Sequence, residues 1–86
     1  MGKFEKILER LLSIPSDFTY TEAKSVAKHF GYEEKQKGHT SGSRVLLYRE
    51  AEERKILLHK PHPGDIMKTY AVRDFVEALK RNGDLK

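Results

Sequence analysis

The chain has 86 residues, with 17 Lys and Arg against 13 Asp and Glu, a formal net charge of +4 and no cysteine. A chain this short has material for one small core, so residues 1–86 are read as a single domain, and without thiols it can build neither a disulfide framework nor a thiolate zinc site. The pI near 9.4 permits a phosphate polyanion as partner without requiring one.

Phe4, Ile7, Leu8, Leu11 and Leu12 recur at spacings of three and four with charged residues between them, which predicts an amphipathic first helix ended by Pro15. The charges interrupt any apolar stretch, and no run approaches the 18 or so residues that span a bilayer. Neither a signal peptide nor a membrane anchor is expected, and the location expected is cytoplasmic. Because so small a domain needs apolar area, this helix is assigned to the core rather than to a partner.

Thr19-Tyr20-Thr21-Glu22 has the form of a capping box, so a second helix is predicted to start there. Tyr20, Ala23, Val26, Ala27 and Phe30 form its apolar stripe, Phe18 stands where a hydrophobic staple would, and Gly31 closes it. His29 lies off the stripe and is read as a solvated surface histidine. Tyr32 to Lys37 follows as a polar edge strand.

Arg44 to Arg49 (RVLLYR) and Lys55 to His59 (KILLH) are short runs rich in Val, Ile, Leu and Tyr, joined by Glu50 to Glu53. They are predicted to pair as an antiparallel hairpin, because so short a connection allows no crossover. Both runs are apolar at consecutive positions, which implies helices on one face and partial cover on the other. Pro61 and Pro63 force a turn after them. A third helix from about Thr69 to Asn82 has Val72, Phe75, Val76 and Leu79 as its stripe and Gly83 as its closing residue.

The chemistry concentrates between Lys37 and Gly64, which holds three of the four histidines. His39 lies in a Gly- and Ser-containing segment beside Lys35, Lys37 and Arg44. An imidazole there can take or give a proton at a ribose 2′-hydroxyl without a metal. Arg44 is a phosphate clamp rather than a base, because guanidinium stays protonated at neutral pH. His59 and His62 are spaced i and i+3 across a proline, but no carboxylate pair or cysteine completes a metal shell, so no metal is expected.

Three segments, GSRV at Gly42 to Val45, HKPHPG at His59 to Gly64 and YAVRDF at Tyr70 to Phe75 ahead of Asn82-Gly83, together resemble the HicA family of bacterial toxins. The likeness runs from about Thr21 to the C-terminus, with residues 1–15 as an added N-terminal helix and 19–83 as the core. It implies an α+β fold like the double-stranded-RNA-binding domain: a three-stranded antiparallel sheet packed by helices, in the order α-α-β-β-β-α. It also implies a messenger-RNA endonuclease, neutralised by a HicB-type antitoxin and needing no cofactor. Many members carry Gly-Ser-His-His with the first His catalytic, whereas here Arg44 stands at that position. The proton carrier is then His39 or His59, with His39 preferred. The RNA-contacting set is Lys35, Lys37, Ser43, Arg44, Lys60 and His62. Two other readings stay open: a non-catalytic RNA-binding module of the same fold, and an interaction domain for an acidic protein.

Overall fold

In a computed structural model, residues 2–35, 44–61 and 64–85 are described. Helix α1 (Lys3–Leu12) and helix α2 (Tyr20–His29) are followed by strands β1 (Glu33–Lys35), β2 (Arg44–Arg49) and β3 (Arg54–His59) and by helix α3 (Thr69–Arg81). The fold is α+β, and its order and its antiparallel sheet β1-β2-β3 agree with the architecture that the resemblance implies.

Local signals account for the element ends. Helix α1 is closed by Ser13 and by Ile14, whose φ of 50° is the left-handed value usually left to glycine. Pro15 then prevents its continuation. At the start of α2 the Glu22 amide donates to the Thr19 hydroxyl, while Glu22 Oε1 accepts from the Thr19 amide, both at 3.0 Å. Gly31 and Gly83, at φ 93° and 84°, turn the chain out of α2 and α3. Between β2 and β3 the link is a single 3-10 turn, Glu50–Glu52, completed by Glu53 in the left-handed region. The predicted hairpin therefore forms, with Arg44 opposite His59 and Arg49 opposite Arg54.

The core lies between the helices and one face of the sheet. Leu11, Phe18, Ala23, Val26, Leu47, Ile56, Leu58, Val72, Phe75 and Leu79 are all buried in it. Leu11 places α1 in the core, as its apolar stripe requires. A short antiparallel bridge joins Thr19 to Ile66, with the Met67 amide donating to Phe18 O at 2.8 Å and the Tyr20 amide to Asp65 O at 2.7 Å. This bridge ties the entry of α2 to the segment that leads into α3.

His29 differs from expectation. Its ring stacks on Phe4, with centroids 3.5 Å apart and planes 13° from parallel, and Phe30 meets both rings edge-on. It is exposed by area, yet it clamps α1 to α2 through aromatic contact.

Glu22 also receives Arg10, at 3.2 Å to each of its carboxylate oxygens. Burial alone would raise its pKa, but the bonds from Arg10 and Thr19 and the Arg10 charge outweigh burial and hold it below the ordinary value of 4.5. A lowered folded pKa means that Glu22 contributes its full stability above 4.5 and loses it as pH falls through the lowered value. Glu22→Ala should therefore cost about 1 kcal/mol near neutrality, the usual scale of a lost cap. Thermal unfolding from pH 7 down to pH 3 checks this: the deficit should shrink with acid, and a deficit constant across the range would contradict it.

Candidate functional site

The two ends of the sheet do different work. At one end, Arg49 donates from Nη1 to Asp84 Oδ1 at 2.6 Å and to Phe30 O at 2.9 Å, with its guanidinium 4.8 Å over the Tyr32 ring. Arg49 Nε lies 2.8 Å from Glu52 Oε1 as an ion pair. Tyr32 donates its hydroxyl to Asp84 Oδ2 at 2.6 Å and accepts from Asn82 Nδ2 at 2.9 Å, and Asn82 also donates to Lys55 O. Burial, reinforced by the Asp84 carboxylate, pushes the Tyr32 phenol pKa upward. Apart from Arg49 Nε, which is buried with the Glu52 ion pair but no hydrogen bond, the polar atoms named here bond within the fold, so this end is a structural clasp.

The other end carries the predicted chemistry. Lys35 is the last residue of β1, Arg44 the first of β2 and His59 the last of β3. Antiparallel pairing brings these three chain positions to one end of the sheet, with Lys35 opposite Leu46 and Arg44 opposite His59. Lys60 follows directly and is exposed. His59 is half-buried, and the ring of Tyr70 from the first turn of α3 meets its imidazole edge-on at 5.9 Å. Along β3, Ile56 and Leu58 are buried while Leu57 is exposed, so strand alternation assigns Leu57 to the face away from the helices, while His59 at the strand end meets Tyr70 of α3. That face is open at Leu57, where the consecutive apolar runs implied partial cover.

The structure thus brings together Lys35, Arg44, His59 and Lys60. The other predicted site residues, His39, Lys37, Ser43 and His62, lie outside the described residues. Among the described residues, no three of His, Asp and Glu gather closely enough to hold a metal ion. A groove between α2 and β1 is lined, among the described residues, by Thr21, Lys24, Ser25, Lys28 and Glu34. Its Lys24 is ion-paired to Glu34 at 3.5 Å.

Sequence reasoning did not single out Tyr70 for the site. Its signal was available, since Tyr70 falls outside the stripe of Val72, Phe75, Val76 and Leu79 that α3 buries, and an aromatic off the buried stripe is exposed for a reason. Leu57 was hidden by its neighbours, because a strand that is apolar at every position does not declare which face is open.

Comparison with known proteins agrees with this architecture. The family model described as HicA toxin of bacterial toxin-antitoxin matches residues 20–83, which spans α2, the sheet and α3 and leaves out α1. No curated protein and no solved structure matches the chain. With the helix-sheet-helix core matched from end to end, this chain belongs to the HicA toxins of bacterial toxin–antitoxin systems.

Proposed function

We propose that this toxin is an endoribonuclease that cleaves messenger RNA with side chains alone, in the cytoplasm, and that a HicB-type antitoxin neutralises it. The observation that carries this reading is the meeting of Lys35, Arg44 and His59 from three strands at one end of the sheet. Two permanent cations at chain positions on the same end of the sheet as an imidazole make a set suited to a phosphodiester. RNA carries its own nucleophile, so the protein needs to position the phosphate and move a proton.

In the proposed reaction, neutral His59 takes the proton of a ribose 2′-hydroxyl. The 2′-oxygen bonds to the adjacent phosphorus, and the bond from phosphorus to the 5′-oxygen breaks. The departing 5′-oxygen receives a proton from water, and the phosphate is left as a 2′,3′-cyclic diester. Arg44 and Lys35 hold the charge of the phosphate through the transition state. His59 takes the base role here because the hairpin register sets it opposite Arg44. His39, in the segment leading into β2, is the second candidate.

No helix among the described residues is long and apolar enough to cross a membrane. The cytoplasmic assignment rests on the location of the proposed substrate.

Arg44 gives the test of the binding half of this reading. Arg44→Ala should weaken binding of a short RNA about 10-fold and reduce the salt dependence of binding by about one counterion, as the loss of one phosphate contact does. Arg44→Lys should recover only part of the affinity, because ammonium keeps the charge and loses the planar fork. Fluorescence anisotropy across a salt series measures both. An Arg44→Ala protein that binds as the parent does, with an unchanged salt slope, would remove Arg44 from the site.

A further inference from the structure

We infer that Tyr70 is a stacking platform for a nucleobase, so that the substrate is single-stranded RNA held with one base turned onto this ring beside His59. The inference rests on the RNA reading above and names the substrate form at the same site.

Tyr70 is 53% exposed, which leaves its ring open to a ligand. The Tyr70 ring meets His59 edge-on, at 5.9 Å and 63° between planes, and so lies beside the proposed base. Cations lie near it along the chain. Lys60 follows His59, Lys68 caps the start of α3, and Arg73 lies one turn along from Tyr70. The acidic neighbours are Asp65, which accepts from Thr21 Oγ1 at 2.8 Å, and Asp74 on the next turn of α3.

An exposed aromatic among cations is the arrangement that takes unpaired nucleotides, with the cations on the backbone and the ring on the base. An acidic protein surface would satisfy the cations equally, but it would leave the ring beside the proposed proton carrier without a role in the reaction. Bases in a duplex are stacked on one another and cannot reach the ring. Phosphate contacts alone would not distinguish paired from unpaired RNA. Stacking at Tyr70 would make that distinction and would also hold the neighbouring ribose near His59.

The chain contains no tryptophan, so Tyr70→Trp introduces a single indole reporter. Its fluorescence should be quenched by a short unstructured oligoribonucleotide and not by an abasic oligonucleotide of the same length. Tyr70→Ala should weaken binding of the first oligonucleotide by about 5- to 100-fold, the scale of one lost base stack, and leave binding of the abasic one unchanged. Tyr70→Phe should bind as the parent does. If the parent binds the base-carrying oligonucleotide and Tyr70→Ala binds it equally well, the platform is overturned while the RNA reading stands. Equal quenching by both oligonucleotides would overturn it in the same way. If the parent binds neither, the RNA reading fails and the platform falls with it.

Discussion

Replacing His59 with alanine should lower the rate of RNA cleavage by about 10²-fold or more while changing RNA affinity by less than about 2-fold, the usual signature of a lost general catalyst. The separation follows from the division of labour at the end of the sheet. In the proposed mechanism Arg44 and Lys35 supply charge that is present whether or not the proton moves, whereas the imidazole contributes to the chemical step alone. His59 ends β3 and is half-buried, so truncation removes little packing, and circular dichroism should report an intact fold. Single-turnover cleavage of a labelled RNA, with binding measured in parallel, gives both numbers. His39→Ala belongs in the same experiment. A full rate in His59→Ala together with a 10²-fold loss in His39→Ala would move the proton-carrying role to the segment before β2.

The second large effect is on stability. Arg49→Ala should destabilise the fold by about 3 kcal/mol, because it leaves the Asp84 carboxylate, whose side chain is only 6% exposed, without its cation. It also removes the donor to Phe30 O and the guanidinium over Tyr32. The estimate is taken at the lower end for a broken buried pair, since the Arg49 side chain keeps 16% of its exposure. In a domain of this size that corresponds to a fall in Tm of roughly 15 °C. Asp84→Asn should cost less, because an amide oxygen still accepts from Arg49. Thermal unfolding checks the pair, and a loss below about 1 kcal/mol in Arg49→Ala would show that the clasp adds little. Arg49 lies at the opposite end of β2 from Arg44, so the folded fraction of Arg49→Ala should cleave RNA at the parental rate.

The features legible in the sequence are those that depend on neighbours in the chain. Thr19 and Glu22 announce a helix start because both halves of the capping box lie within four residues. The hairpin is legible because four residues between two apolar runs leave only one pairing. Gly31 and Gly83 mark helix ends through backbone freedom that other residues lack.

The features missed depend on partners far apart. Arg49 meets Asp84, 35 positions away, and nothing in the run RVLLYR distinguishes that structural arginine from Arg44 at its other end. His29 reads as a surface residue until α1 folds back and sets Phe4 against it. Part of the candidate site is legible: charge, the chemistry of imidazole and the family likeness single out Lys35, Arg44, His59 and Lys60 as candidates. Their convergence is not, because it follows from strand register, which pairs Arg44 with His59 through the turn at residues 50–53. Tyr70 enters the site only when α3 returns to the end of β3.

In the proposed mechanism the RNA is cut by its own ribose 2′-oxygen, which attacks phosphorus as His59 takes its proton and the 5′-oxygen leaves. The most direct measurement is the chemical identity of the ends left when the purified protein is incubated with an unstructured RNA in EDTA. The mechanism predicts cleavage in EDTA with 2′,3′-cyclic phosphate on one fragment and 5′-hydroxyl on the other, and loss of both in His59→Ala. Cleavage that stops in EDTA, or fragments ending in 5′-phosphate and 3′-hydroxyl, would mean that water rather than the ribose attacks phosphorus, and would contradict it.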